Sequence, residues 1–405
     1  MPGKEGPCCG QVSHDSVLPL AARPFPKETG HVRTARTTTA AVAAVTAAGV
    51  AAVAVGRHAS DAALKITPGS PLPTEPRLTV HATAAGRIAL TRDLAALRPG
   101  VHGLTGNGTH AVVGDVLTTA DHPADTVVRR LERVTRGTLS PGDKVWFTPQ
   151  LHLGDPRTAL GLDCADVDIP GELGSLPAWF VPGPRDTWVI TVHGLGTTRE
   201  HPMNLMEFLH RRRFPVLDLA YRGDLGAPRP RDGLSHLGET EWRDLDAAIR
   251  YAVRYGAERV ILHGWSTGAT MALYAATHSA LRERICGLVL DSPVLDWQAT
   301  LRALAGCRTP GALLPLAVRA AQGRAGLHDE GSRRTVDAEA PTVPTLLVHG
   351  PGDTVAPWGP SRRLAALRPN LITFHTVQDA PHAAMWNADP PSYEEALRRF
   401  LTPLM

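Results

Sequence analysis

An alternation of short apolar segments with amphipathic helical patterns constrains the fold most, and it runs from Leu176 to the C-terminus. The apolar segments are almost uninterrupted, which is typical of strands buried on both faces of a sheet. Between them, apolar residues recur at the spacing of one helix face. The predicted strands are residues 188–192, 214–219, 260–262, 285–290, 345–348 and 371–377. This order predicts an α/β fold, a mostly parallel sheet with helices on both faces.

In such a sheet, reactive side chains lie beyond the carboxyl ends of the strands. The predicted strand 260–262 is followed by His263-Gly264-Trp265-Ser266-Thr267-Gly268 and then by a helical pattern. A serine on a tight turn between a strand and a helix presents its hydroxyl to the active site, and the flanking glycines allow the chain to close around it. We therefore predict that Ser266 is the nucleophile.

A serine hydroxyl needs a base to remove its proton, and the base needs an orienting group. Asp353 follows the predicted strand 345–348, and His382 follows the predicted strand 371–377. The order serine, acid, histidine is the one expected on this fold. Asp291, at the end of strand 285–290, is the alternative acid. Because capping of a turn accounts for Asp291, the sequence favours Asp353.

Acyl transfer also needs hydrogen-bond donors for the developing oxyanion. One predicted donor is the backbone N–H of Thr267, the residue after the nucleophile. The second is the N–H of Leu195, in the glycine-containing loop that follows strand 188–192. These predicted residues require neither a metal ion nor a cofactor.

From about residue 176 onward, several motifs together resemble the α/β-hydrolase superfamily, in particular its serine aminopeptidase/lysophospholipase-like (Bem46-like) serine hydrolases. They are His193-Gly194-Leu195-Gly196, Tyr221-Arg222-Gly223, Glu241 with Asp244, Gly264 to Gly268, His349-Gly350 with Asp353, and His382. The resemblance implies the α/β-hydrolase fold and cofactor-free hydrolysis of an ester, thioester, amide or peptide. It also implies that the stretch around Arg222 supports the site.

Together these features predict a hydrolase that cleaves a carboxylic ester or thioester of a small-molecule acyl substrate. A peptidase or an acyltransferase on the same residues, and a membrane-anchored member of the fold without turnover, are the alternatives. Dehalogenases and epoxide hydrolases are disfavoured because they use an aspartate at the position of Ser266. The basic residues are dispersed and the formal net charge is +3, so nucleic-acid binding is not expected.

The domain prediction has four parts. Residues 1–36 lack hydrophobic periodicity and are predicted to be a disordered basic N-terminus, and residues 37–57 form a predicted membrane helix. Residues 58–175 contain short strand-like runs between Gly and Pro turns, which predicts a β-rich accessory region. Residues 176–405 are the predicted hydrolase domain. Within it, residues 298–340 are a predicted cap that shapes the acyl pocket.

The predicted membrane helix depends on an uncharged, Ala- and Val-rich run from residue 37 to residue 56. It is preceded by Arg33 and Arg36 and followed by Arg57. About 20 uncharged residues can span a bilayer, and basic residues before them favour a cytoplasmic N-terminus. We therefore expect a single-pass protein of the cell membrane with its hydrolase domain outside the cytoplasm. A cleaved export signal, giving a secreted protein, and an Ala-rich soluble segment of a cytoplasmic protein are the alternatives.

Overall fold

The structure is a computed structural model, and it describes residues 57–405 except residues 59, 62, 66, 85, 119–122, 308 and 328–340. The predicted disordered segment 1–36 and residues 37–56 of the predicted membrane helix lie outside the described residues. Both therefore stay predictions. Within the described ranges, no helix has the length and the apolar character needed to cross a membrane.

Six antiparallel strands form a closed barrel in the N-terminal part of the described chain. They are β1 (Leu78–Ala84), β2 (Arg87–Thr91), β3 (His102–Gly106), β4 (His110–Val116), β5 (Thr126–Arg136) and β6 (Lys144–Thr148). Their order is β1-β2-β5-β4-β3-β6, and β1 pairs with β6 to close the barrel. Leu78, Ile88, Leu104 and Phe147 are among the side chains that fill its core. Because β1 and β6 are hydrogen-bonded to each other, the first and last strands of this sheet do not leave exposed edges. The predicted β-rich N-terminal region is thus confirmed.

The second sheet has eight strands in the order β14-β13-β12-β11-β9-β10-β8-β7. These strands are β7 (Ala165–Pro170), β8 (Ser175–Val181), β9 (Thr187–Val192), β10 (Val216–Leu219), β11 (Arg259–Trp265), β12 (Ile285–Asp291), β13 (Thr345–His349) and β14 (Ile372–Thr376). All neighbours from β14 to β10 are parallel, whereas β8 and β7 add antiparallel strands at the edge. The sheet therefore begins before the predicted domain boundary between residues 175 and 176.

Nine α-helices follow the barrel within the described chain. They are α1 (Pro156–Leu160), α2 (Met203–Arg211), α3 (Trp242–Arg254), α4 (Thr267–His278), α5 (Trp297–Gly306), α6 (Leu314–Ala325), α7 (Trp358–Leu367), α8 (Met385–Ala388) and α9 (Pro390–Leu401). Apolar residues of α3, α4 and α7 pack on one face of the sheet, and those of α2 and α9 pack on the other. The predicted α/β-hydrolase fold is confirmed, since helices cover both faces of a mostly parallel sheet.

A buried carboxyl group makes the stability of this sheet depend on pH. Asp218 on β10 is fully buried, and Thr191 Oγ1 donates to its Oδ1 at 2.8 Å. In the described chain its Oδ2 has no hydrogen-bond partner. Burial raises the pKa of Asp218 to about 8, although the Thr191 hydroxyl opposes the shift. The folded protein therefore holds this carboxyl protonated at neutral pH.

Replacing Asp218 with asparagine should reduce the loss of stability between pH 5 and pH 8. The folded state keeps the Asp218 proton in this interval, whereas the unfolded state has released it above about pH 4, so wild-type stability falls as pH rises. The contribution is at most about 1.4 kcal/mol per pH unit. Denaturant unfolding at pH 5 and pH 8 measures the free energy of unfolding of each variant. The control is Asp115→Asn, which replaces an exposed carboxylate of the barrel. Equal pH dependence in wild type and Asp218→Asn would contradict the prediction.

Candidate active site

Ser266 lies on a strained turn between β11 and α4. Its φ of 52° and ψ of −118° are rarely adopted by residues other than glycine. A Cβ on Gly264 would lie 2.3 Å from the carbonyl carbon of Gly268, and a Cβ on Gly268 would lie 2.3 Å from the Val192 carbonyl oxygen. Both flanking positions therefore require glycine. The turn predicted from the sequence is present.

His382 lies in the loop between β14 and α8, next to both other members of the predicted triad. Its Nε2 is 2.7 Å from Ser266 Oγ, and its Nδ1 is 2.7 Å from Asp353 Oδ2. An imidazole that donates from Nδ1 to the carboxylate has Nε2 free to accept the serine proton. The structure thus brings the three predicted residues into one hydrogen-bonded chain. All three are buried, and Ser266 is 0 % exposed.

The Asp353 carboxylate is held by four donors. Its Oδ1 accepts from the N–H groups of Val355 and Ala356, each at 2.8 Å. Its Oδ2 lies 2.7 Å from His382 and 3.0 Å from His349 Nε2. Burial would raise the pKa of Asp353, but His382 and His349 outweigh burial and hold the pKa well below its ordinary value. Asp353 is therefore ionised at neutral pH.

Asp291, the alternative acid, is placed differently. Its backbone carbonyl accepts from the N–H of Ser266 at 2.8 Å, and its Oδ1 accepts from Ser292 Oγ at 2.7 Å. Ser292 Oγ in turn accepts from the N–H of Ala383 at 3.1 Å. Burial raises the pKa of Asp291 to about 7. Within the described chain it makes no hydrogen bond to His382, so it contacts the backbone around the site rather than the imidazole.

The two predicted oxyanion donors lie beside Ser266. A Cβ on Gly194 would lie 2.5 Å from Ser266 Cβ, so the loop that carries Leu195 packs directly against the serine. Thr267 is the first residue of α4, where backbone N–H groups have no partner within the helix. Among the described residues, the N–H groups of Leu195 and Thr267 donate to no protein acceptor. Both are thus available for a substrate oxygen.

Asp224 supports the Leu195 loop, a role that was not predicted from the sequence. His193, which begins the loop, has its Nε2 2.7 Å from Asp224 Oδ2, and its ring stacks on Tyr221 at 4.6 Å. Burial lowers the pKa of His193, but the Asp224 carboxylate outweighs burial and raises it. Asp224 comes directly after Tyr221-Arg222-Gly223, and this position is the sequence feature that could have indicated its role. The hydrogen bond between His193 and Asp224 thus fixes the loop that forms one wall of the site.

The other residues of the family resemblance also hold loops near the site. Arg222 donates from Nε and Nη2 to the buried Asp244 carboxylate, at 2.8 and 2.6 Å. Glu241 accepts from the N–H groups of His236 and Gly238. The supporting role implied by the resemblance thus has a structural basis.

A partly open cleft reaches the predicted base, His382. Leu195 and His382 line it from the hydrolase side. The opposite wall comes from the barrel, including His102 and Phe147, and from residues 69–75 before β1. No described residue of the predicted cap 298–340 lines this cleft; instead α5 and α6 pack against Leu195 and other apolar residues. The wall that faces His382 across this cleft thus comes from the barrel and the segment before it, and the role of residues 298–340 in shaping the acyl pocket stays a prediction.

Comparisons with known proteins agree with this architecture. A family model described as the prolyl oligopeptidase family matches residues 206–402, and a model described as a domain of unknown function, DUF8805, matches residues 79–148. The structure of the esterase Pf2001 from Pyrococcus furiosus has a TM-score of 0.51 and is 21 % identical. That match covers 62 % of this chain and 96 % of Pf2001. The strand order of the sheet, the serine turn and the family-model match together identify this chain as an enzyme of the α/β-hydrolase superfamily.

Two sequence relatives identify a family within this superfamily. The uncharacterized protein YfhR of Salmonella typhi is 30 % identical over an alignment of 242 residues, and the match covers 56 % of this chain and 77 % of YfhR. YfhR of Escherichia coli O157:H7 is 27 % identical over an alignment of 214 residues, and the match covers 51 % of this chain and 69 % of that protein. The chain belongs to the YfhR family, within the α/β-hydrolase superfamily of serine hydrolases.

Proposed function

We propose that this protein cleaves a carboxylic ester or thioester through an acyl intermediate on Ser266. The proposal depends on the hydrogen bonds that join Ser266, His382 and Asp353 in series. The bonded atoms are 2.7 Å apart in each of the two bonds. This arrangement supplies a nucleophile, a base and an orienting carboxylate in the geometry that acyl transfer needs.

In the acylation step, Ser266 Oγ attacks the substrate carbonyl carbon while His382 Nε2 takes the hydroxyl proton. The N–H groups of Leu195 and Thr267 donate to the oxyanion that develops, each contributing about 3 kcal/mol of barrier reduction. The tetrahedral intermediate then collapses, the bond to the alcohol or thiol breaks, and His382 returns the proton to the leaving oxygen or sulfur. The acyl group remains on Ser266.

In the deacylation step, His382 takes a proton from water, and the resulting hydroxide attacks the acyl carbon. Collapse of the second intermediate breaks the bond to Ser266 Oγ, which regains the proton from His382. The products are a carboxylic acid and free enzyme. Asp353 stabilises the imidazolium in both steps without itself taking a proton, in agreement with its lowered pKa.

Peptide hydrolysis on the same residues is the second candidate function. The prolyl oligopeptidase family match over residues 206–402 favours it. Parallel kinetics with p-nitrophenyl esters and aminoacyl p-nitroanilides separate the two candidates. Higher kcat/KM for the esters supports the proposal, whereas higher kcat/KM for the anilides makes peptide hydrolysis the better assignment.

A fluorophosphonate probe tests the nucleophile directly. We expect the folded wild-type protein to be labelled on Ser266, as located by peptide mass spectrometry, because the phosphorus centre is attacked as the acyl carbon would be. Ser266→Ala should abolish labelling. Ser392→Ala, on α9 and bonded to His375, is the matched control and should label normally. Labelling that persists in Ser266→Ala, or that is absent from the wild type, would overturn the proposed function.

A further inference from the structure

We propose that the barrel determines acyl specificity, and that the Glu75–Arg98 ion pair on the cleft wall disfavours long acyl chains. The enzyme would then be a hydrolase of short-chain carboxylic esters. This inference rests on the proposed ester hydrolysis and adds its substrate class.

The barrel is fixed to the hydrolase part on both sides of the site, so its wall cannot easily retreat from a bulky substrate. Gln150 Oε1 accepts from the N–H of Thr198 at 3.0 Å, in the segment that follows the Leu195 loop. Asn387 Nδ2, shortly after His382, donates to the carbonyl of Val101 at 3.0 Å. A Cβ on Gly100 would lie 2.0 Å from the Asn387 carbonyl oxygen. Partly buried hydrogen bonds and close backbone contact thus hold the wall in place.

Glu75 and Arg98 face each other on this wall. Arg98 Nη1 donates to Glu75 Oε1, and the side chains are 18 % and 16 % exposed for Arg98 and Glu75 respectively. Both residues line the cleft that His382 also lines. In the described part of the chain, no other ion pair has both partners on that wall. The Arg98 guanidinium lies 5.8 Å from the ring centre of Phe147, which also lines the cleft.

The hydration of this pair limits what can occupy the cleft. Burial raises the pKa of Glu75, with Arg98 opposing it, so the pair is already partly desolvated. The only side-chain hydrogen bond of Arg98 among the described residues is the one to Glu75, so its other N–H donors depend on water. A long acyl chain along the wall would displace that water without replacing its hydrogen bonds. A short acyl group leaves the water in place.

The test compares p-nitrophenyl butyrate with p-nitrophenyl decanoate. We expect the wild type to have the higher kcat/KM for butyrate. In the double variant Glu75→Met with Arg98→Met, the ratio of decanoate to butyrate kcat/KM should rise about tenfold, because the wall becomes apolar without losing bulk. The double variant Glu207→Met with Arg211→Met removes an exposed ion pair on α2 and should leave the ratio unchanged.

The possible results distinguish a failure of this inference from a failure of the proposed function. Wild-type preference for decanoate would overturn the inference, and so would an unchanged ratio in a folded Glu75/Arg98 double variant. If thermal melting shows that the double variant does not fold, the wild-type chain-length profile decides alone. Absence of ester turnover by folded wild-type protein would instead overturn the proposed function.

Discussion

Replacing His382 with alanine should lower kcat for p-nitrophenyl butyrate by about 10⁶-fold. His382 Nε2 lies 2.7 Å from Ser266 Oγ, and no other described imidazole is hydrogen-bonded to that hydroxyl. Without the imidazole, the serine proton has no acceptor in the attack and the leaving group has no donor. The remaining activity would come from the oxyanion donors and substrate binding alone. Steady-state kinetics, with the rate of fluorophosphonate labelling as a second measurement, would show the effect.

His375→Ala is the matched control for this prediction. His375 is half-buried on β14, and its Nε2 bonds to Ser392 Oγ on α9, outside the site. Its removal should leave kcat within a few-fold of wild type. Circular dichroism and thermal melting of both variants separate loss of chemistry from loss of fold. Retention of more than about a tenth of wild-type kcat by folded His382→Ala would show that another group is the base.

Replacing Asp353 with asparagine should lower kcat by about 10⁴-fold. The amide keeps the shape of the carboxylate but removes the charge that stabilises the imidazolium. A side-chain amide at position 353 that donates to His382 Nδ1 would also turn the proton-bearing nitrogen toward Ser266, so the base would be in the wrong tautomer. The His349 side chain, 3.0 Å from the carboxylate, offers no substitute charge. Kinetics with p-nitrophenyl butyrate measure this effect.

Asp291→Asn is the decisive comparison, because both aspartates follow neighbouring parallel strands. The Asp291 carboxyl bonds to Ser292, and its raised pKa of about 7 indicates that a neutral side chain is tolerated there. We therefore expect Asp291→Asn to lower kcat by less than about tenfold. If Asp291→Asn instead costs more than Asp353→Asn, Asp291 is the orienting acid and the geometric assignment is wrong.

The barrel supplies a wall of the cleft at His382 that was not predicted from the sequence. Helices α5 and α6 belong to the predicted cap, yet they cover apolar residues such as Leu195 and Val355. The cleft at His382 faces residues of the barrel and the segment before it. Substitutions that alter substrate choice are therefore expected in the barrel wall first.

Local patterns in the sequence determined the parallel sheet and the serine turn. A strand buried on both faces needs a continuous apolar run, and the turn at Ser266 needs glycine at positions 264 and 268, where a Cβ would meet backbone atoms. Because parallel strands end at one edge, the chain order also placed Asp353 and His382 near Ser266. The apolar runs and the serine turn each involve residues close together in the chain, whereas the order of the strands brings the distant residues to one edge.

Tertiary structure alone decided three other features. Asp291 ends β12 and Asp353 follows β13, and only the direction of each side chain shows which one meets His382. Strand β7 lies at the sheet edge and is largely exposed, so it lacks the apolar pattern of the central strands. The contact between Gln150 and Thr198 joins two segments distant in sequence. No local pattern encodes such a pair, because its energy depends on how two separately folded surfaces meet.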